Sequence, residues 1–402
     1  MTAIRIHSKP LNKTIEVNRL IGSHKGNPNG PTLIFTGGIH GNEPAGVFAL
    51  KSVLEELKQL NPEFNGNLYA ISGNLSALEK GVRYNKADLN RMWTKEKLAG
   101  LEDDKVISFN DELVQQKEIF DIMQDILSKE KGPYYFFDLH TTSGETAPFI
   151  TVNDSLINRK FTSLYPVPLI LGIEEFLDGP LLSYINELGY VAFGFEGGQH
   201  DSPKSIEYCR SFIYLTLSFT GCLSPEDANE AEHLISLKKV MNFRNKFFEI
   251  IYREEIEPDD KFIICDGYLN FQKVPKGTII AINNGKQLET PYRGYIFMPL
   301  YQGKGNDGFF IIRKTPVFFL KLSAFLRKIS FDRLLVALPG VNWRSETREE
   351  LVVDLKIARF FTRKFFHLMG YRSKQKDSTH LKLKNREAVS KGEDYKNAPW
   401  NK

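Results

Sequence analysis

Between residues 31 and 220 the chain alternates short, continuously apolar runs with longer segments of helical period, and this alternation restricts its fold more than any other feature. The runs are Pro31–Thr36, Asn67–Ser72, Tyr134–Leu139, Pro168–Leu171 and Tyr190–Phe195. A strand that is apolar at every position, rather than at alternate ones, has no face to give to water and must be covered on both sides. The intervening segments supply the covers. Pro44–Leu60 carries Val47, Leu50, Val53, Leu54 and Leu57 at helical spacing, with Pro44 suited to a first helical position because its missing N–H costs nothing there. Leu113–Leu127 and Ile206–Thr220 read the same way. The expected class is α/β, a mostly parallel or mixed sheet with helices on both faces.

The character changes near Ile250. Ile256–Asp260 reads as a linker, and Lys261–Lys314 is a succession of short strand-like runs punctuated by turns at Pro275-Lys276-Gly277 and Asn284-Gly285. A helical pattern returns over Glu346–Met369 and stops at Gly370, and the polar, charged residues from Ser373 onward read as frayed. A length of 402 residues suits more than one domain. The expected division is an α/β domain over residues 1–250, a β-rich domain over 256–340, and a C-terminal helix and polar tail over 341–402.

Composition excludes several classes. The 53 basic and 49 acidic side chains leave a net charge of +4, which gives no reason to expect nucleic acid as partner. Three cysteines, Cys209, Cys222 and Cys265, form no C-x-x-C pair and no disulfide framework. The opening residues MTAIRIHSKPLNKT lack the apolar core of a signal peptide, and the most apolar stretch, Thr315–Phe325, is short and holds Lys321. A cytoplasmic protein with no membrane partner is the expectation, with its oligomeric state left open.

The chemistry-bearing residues gather where apolar strands end, which is where ligands bind in open α/β sheets. Gly37-Gly38-Ile39-His40-Gly41-Asn42-Glu43-Pro44 joins a strand to a helix, and at a tight turn His40 and Glu43 can face one point. An imidazole nitrogen and a carboxylate oxygen both suit zinc; the plainer reading is a glycine-rich turn with a carboxylate at a helix start. His140 follows another strand, with Asp138 on the same strand face. Alone it reads as a structural histidine. Together with His40 and Glu43 it completes a His2Glu set that leaves zinc one open position. Glu196 ends a further strand and is a candidate general base, against the alternative of an exposed loop carboxylate. Arg83, Asp88, Asn90 and Arg91 lie within nine residues. Two guanidiniums and an amide suit a carboxylate, one arginine is able to stabilise an oxyanion, and Asp88 to orient a ligating histidine; the alternative is a solvated basic loop. His200 follows the Glu196 loop and is placed to line such a site.

In this order, G-G-x-H-G-N-E-P, R…D-x-N-R, D-x-H-x-T and a strand-end Glu, the motifs resemble the succinylglutamate desuccinylase/aspartoacylase family of the zinc carboxypeptidase-like superfamily. They cover roughly Pro31 to Gly198. The resemblance implies a zinc carboxypeptidase-like mixed sheet with helices on both faces, a smaller β-rich C-terminal domain, and one Zn2+ per chain held by His40, Glu43 and His140. It implies Glu196 as the base that activates water and protonates the leaving amine, and Arg83 as the group that polarises the carbonyl. Asn90 and Arg91 would bind the substrate carboxylate, Asp88 would orient His40, and a tyrosine from the C-terminal part, Tyr301 with Tyr292 and Tyr295 behind it, would touch substrate. The implied reaction is hydrolysis of the amide bond of an N-acyl amino acid or related small amide.

The chain also departs from the family. Leu181–Phe195 holds no Arg or Lys to read an acyl-group carboxylate, leaving Arg159, Lys160 and Arg210 as basic candidates. The acyl group need therefore not be aspartate-like or succinyl-like. Residues beyond 340 exceed the family's usual extent. Competing readings are a zinc carboxypeptidase or amidase acting on short peptides or cell-wall fragments, and a non-catalytic metal-binding module. A scaffold using the Glu346–Met369 helix is a third, although its Phe360, Phe361, Phe365 and Phe366 are more simply core packing.

Overall fold

The computed structural model describes residues 3–102, 110–239, 247–337, 339–343, 350–354, 366, 368–375 and 380–402. Eleven strands form its largest sheet. In chain order they are β1 (Leu20–Lys25), β2 (Thr32–Gly37), β3 (Asn67–Ser72), β4 (Tyr134–Thr142), β5 (Phe149–Val152), β6 (Leu169–Leu171), β7 (Val191–Gln199), β8 (Phe247–Glu255), β9 (Lys273–Val274), β10 (Gly294–Phe297) and β11 (Asp307–Lys314). Their spatial order is β9-β10-β11-β8-β6-β5-β7-β4-β2-β3-β1. The centre is parallel: β3, β2, β4 and β7 run together, so their carboxyl ends lie side by side. β5 enters antiparallel to β7, and the C-terminal strands join through β8, parallel to β6 and antiparallel to β11.

Strand periodicity divides the central residues between two cores. Leu33, Phe35, Tyr135, Phe137, Leu139, Phe193 and Phe195 point to one face, under helices α1 (Ala45–Leu60) and α4 (Pro203–Phe219). Ile34, Phe136 and Ala192 point to the other, under α2 (Asp111–Lys129) and α3 (Leu181–Glu187). The uninterrupted apolar runs thus reflect two half-patterns superposed. Asp138, His140 and Glu196 share the parity of Phe136 and Ala192, so this second face carries polar groups at its upper edge.

Residues 262–289 form a separate three-stranded sheet of Phe262–Ile264, Ile279–Asn283 and Lys286–Glu289. Its hairpin turns through Asn284 and Gly285, both with positive φ (52° and 77°), the conformation these residue types tolerate.

The C-terminal expectation needs correction. Glu350–Asp354, within the expected Glu346–Met369 helix, is a strand in a four-stranded antiparallel sheet with Val341–Trp343, Tyr371–Gln375 and His380–Asn385. Leu351 and Val353 alternate inward against Val341, Tyr371 and Leu383, and over so short a run that alternation also satisfies a helical spacing. Phe366 and Leu368 are helical and the turn stops at Gly370 (φ 87°), as expected. Phe366 is buried, whereas Phe360, Phe361 and Phe365 lie outside the described residues. The tail is not frayed where described. Tyr371–Gln375 and His380–Asn385 are paired strands, and Tyr395 and Trp400 insert into the core beside Tyr135 and Phe161, with Trp400 Nε1 donating to Tyr135 Oη at 2.9 Å. Among the described residues no helix is long and apolar enough to cross a membrane; all of Thr315–Phe325 but its first two residues lies in the helix α5 (Val317–Lys328).

Candidate metal and catalytic site

The site lies above the carboxyl ends of β2, β4 and β7. The β2–α1 turn needs two of its glycines. Gly38 has φ 74°, and a Cβ on Gly41 would fall 2.1 Å from the Ala77 carbonyl carbon. The tight turn brings His40 and Glu43 to the end of β2, and β4 delivers His140 two strand positions beyond Asp138. In the parallel register His140 stands beside Glu196 of β7.

His40, Glu43 and His140 are buried, and their donor atoms lie within 4.8 Å of one another. Glu43 is the hub: Oε1 meets His40 Nδ1 at 2.9 Å and Oε2 meets His140 Nδ1 at 3.0 Å. The opposite nitrogen of each ring is held by a carboxylate, His40 Nε2 by Asp88 at 3.2 Å and His140 Nε2 by Asp138 at 2.7 Å. Carboxylates behind imidazoles fix ring orientation and raise basicity, as metal-ligating histidines require. The donor chemistry therefore fits a divalent cation such as zinc.

Burial alone would raise the Glu43 carboxyl, but the charge of His40 and the hydrogen bonds from both imidazoles hold it well below the usual carboxylate range. Burial alone would lower His140, yet Asp138 and Glu43 raise it well above an ordinary imidazole. Burial is also opposed at Asp88, where His40 and Arg83 hold the carboxyl well below its usual value. Glu196 is the exception. Burial pushes it up to about 8, aided by Glu43 and Asp138 and opposed by His140 and Arg83, and its Oε2 is buried without a partner among the described residues. A carboxyl that titrates near neutrality is suited to taking and giving a proton.

The cluster opens into a cavity. Arg83 lines it, with Nη2 on Asp88 at 3.0 Å, Nη1 3.7 Å from Glu43 and Nε unpartnered among the described residues. Asn90 and Arg91 line it too. Asn90 Oδ1 accepts from the Leu181 N–H at 3.0 Å, and Arg91 Nη2 donates to Asp307 at 2.9 Å. His200 lines the mouth, its Nδ1 2.7 Å from Thr141 Oγ1. The structure thus gathers His40, Glu43, His140, Asp88, Arg83, Asn90, Arg91 and Glu196.

It does not bring Tyr301 to the cavity. The Tyr301 ring packs against Gly144, and its hydroxyl donates to the Cys265 and Tyr268 carbonyls, tying down a turn outside the lining. Its neighbour Gln302 faces inward, accepting from Asn42 Nδ2 at 2.7 Å. Tyr292 and Tyr295 are also absent from the lining, as are the basic candidates. Arg159 pairs with Asp154, Lys160 bonds the Asn401 carbonyl, and Arg210 pairs with Glu56. Sequence reasoning assigned no role to Asp138, although its i, i+2 relation to His140 was the available signal. Asp307 and Gln302 carried no signal, because they reach the site from more than 100 residues away along the chain.

Comparison with known proteins adds the following. The succinylglutamate desuccinylase/aspartoacylase catalytic-domain model matches residues 29–159. Succinylglutamate desuccinylase of Pseudomonas aeruginosa is 26% identical over 113 residues, 28% of this chain and 32% of that protein. The enzyme of that name from Photorhabdus laumondii is 38% identical over 77 residues, 19% of this chain and 23% of the other. The chain therefore spans a third or less of the length of these curated relatives. A solved succinylglutamate desuccinylase/aspartoacylase from Rhodobacter sphaeroides superposes with a TM-score of 0.54 at 16% identity, covering 78% of this chain and 94% of that one, and shares the fold.

Proposed function

We propose that the chain, whose residues 29–159 match the succinylglutamate desuccinylase/aspartoacylase catalytic-domain model, belongs to that family and is a zinc-dependent hydrolase that cleaves the amide bond of an N-acyl amino acid or a related small amide. The observation that carries this reading is the buried His40–Glu43–His140 cluster facing the same cavity as Glu196, whose Oε2 has no hydrogen-bond partner among the described residues.

His40, Glu43 and His140 would hold the ion, with Asp88 and Asp138 behind the imidazoles. A divalent cation so held supplies Lewis acidity, polarising a carbonyl and acidifying a water. Glu196 accepts the proton of the attacking water and passes it to the leaving amine. Its buried position, one strand from His140, keeps bulk water from competing for that proton. Arg83 neutralises the charge that develops on the carbonyl oxygen. It is held for this by Asp88, and its own charge is reinforced because Asp88 and Glu43 outweigh the cost of its burial. Arg91 binds the carboxylate of the amino-acid part from beside Asn90, whose carbonyl oxygen fixes the start of α3.

The test is a hydrolysis screen of the zinc-loaded protein against N-acyl amino acids, with acyl chain and amine varied independently and short peptides alongside. Release of free amino acid from the N-acyl compounds is the expected result. Cleavage confined to peptides would replace this reading with a peptidase.

A further inference from the structure

Helix α5 is amphipathic in the opposite sense to an ordinary surface helix. Its inward face is polar at Ser323 and Arg327, both buried, with the Ser323 hydroxyl donating to the Leu368 carbonyl at 2.7 Å and Arg327 reaching Asp154 and Glu387. Leu320 and Leu326 pack beside them. The outward face is apolar. Phe318, Phe325 and Ile329, at i, i+7 and i+11, are 68%, 58% and 51% exposed and lie on one side of the helix. Val317 and Phe319 widen this stripe at its amino end, and Leu334, in the turn Phe331–Ala337, extends it at the other; each is exposed by half or more. Turning the helix to bury the phenylalanines would pull Arg327 away from Asp154, so the buried ion network holds the apolar face outward. Single exposed apolar side chains are ordinary, but a continuous stripe of them marks a surface that something covers.

Charge selects the occupant. From Gly308 to Phe331 the chain has five basic residues and no acidic one. Lys321 and Lys328 are on the helix with the stripe and Arg333 is beside Leu334; all three are exposed, and no ion pair joins any of them to a carboxylate among the described residues. Aromatic rings bordered by lysines suit a lipid interface, where the rings sink to the acyl-chain boundary and the ammonium groups reach back to anionic headgroups. A second copy docked stripe to stripe about a two-fold axis would instead set Lys321 and Lys328 against their own counterparts, with no acid in the segment to pair them. The stripe is also remote from the cavity. Asp307, at one end of β11, lines the cavity, whereas α5 follows the other end, and the eight residues of that strand span roughly 20–25 Å.

We infer that α5 is an interfacial anchor, whose Phe318–Phe325–Ile329 stripe and neighbouring lysines seat the protein on an anionic lipid surface. Seating of this kind needs no spanning run, the feature on whose absence the expectation of no membrane partner was based. None of these residues takes part in the proposed hydrolysis.

Flotation of the zinc-loaded full chain with lipid vesicles tests this, using phosphatidylcholine alone or mixed with an equal part of phosphatidylglycerol. Partition onto the anionic vesicles is expected to exceed partition onto phosphatidylcholine about tenfold or more, and to weaken as salt is added. Phe318→Ser combined with Phe325→Ser removes two largely exposed rings. It should keep the unfolding midpoint and zinc content of the parent and lose about tenfold or more of the anionic partition. Lys321→Glu combined with Lys328→Glu should lose a similar factor. Absence of binding to anionic vesicles, equal partition onto the two lipids, or binding that survives the phenylalanine substitutions overturns the inference. A parent that is dimeric in sedimentation velocity and ignores vesicles, with a monomeric Phe318→Ser/Phe325→Ser variant, overturns it in favour of a second copy of the chain.

Discussion

Two regions of this molecule bury several charges each, and they do so in opposite ways. In the first, Asp154 receives Arg159 Nη2 at 2.6 Å and Arg327 Nη2 at 2.9 Å, and Arg327 also reaches Glu387 at 3.0 Å. Arg327, almost wholly buried, thus ties β5 and α5 to the C-terminal sheet, and each charge has an opposite partner within hydrogen-bond reach. In the second region, Glu43, Asp88 and Asp138 surround two imidazoles, Glu196 Oε2 and Arg83 Nε lack partners among the described residues, and a cavity stands open beside them. Burial of charge is common to both. A closed network has the character of a structural clamp, whereas a set of oriented donors left incomplete beside a cavity is suited to a missing cation and a substrate.

The contrast can be broken at either end. The largest effect is expected from His140→Ala, which removes one of three donors. Zinc content measured by atomic spectroscopy should fall close to zero and hydrolysis with it, and full zinc occupancy would take His140 off the ligand set. Glu196→Gln should keep zinc at the level of the parent protein and lose about 10²–10⁴-fold in kcat, the range for a lost general acid–base group. Activity equal to the parent would leave that buried carboxyl without a role. At the closed network, Arg327→Met should cost about 3–5 kcal/mol in denaturant unfolding, because Asp154 and Glu387 lose a buried partner, while zinc content of the folded fraction stays unchanged. A loss of under about 0.5 kcal/mol would make that network peripheral, as surface pairs are. Zinc at 100 times its dissociation constant should stabilise the chelator-treated protein by about 2.7 kcal/mol, and no shift in melting temperature would mean that no native site exists.

The smallest effect concerns acid. Burial alone would raise Asp154, but Arg159 and Arg327 hold its carboxyl below the usual range. A depressed carboxyl contributes stability that is complete above the unfolded pKa of about 4 and lost as pH falls through the folded value, at up to about 1.4 kcal/mol per pH unit. Unfolding free energies measured from pH 5 to pH 2 should fall less steeply in Asp154→Asn than in the parent. Identical slopes would assign the acid sensitivity to other carboxylates.

Legibility from sequence varied with distance along the chain. The central strands were readable because a doubly buried strand has no polar face to hide, and the gathering of His40, Glu43, His140 and Glu196 was readable because each stands near the carboxyl end of such a strand. Glu350–Asp354 was misread because five residues with Leu351 and Val353 inward fit either period, and pairing with His380–Asn385 decided the matter. Tyr301 was misplaced because a tyrosine near a site and a tyrosine bracing a turn look alike until its hydroxyl finds the Cys265 and Tyr268 carbonyls.

By itself the sequence determined which residues end buried strands and so which side chains gather above one edge of the sheet, since apolar patterning and the short reach from β2 to the start of α1 are local properties. Only the tertiary structure decided that Asp138 backs His140 and that Asp307 reaches Arg91. These depend on register and packing between segments far apart in the chain, where the free energy of many contacts, rather than any local preference, selects one neighbour.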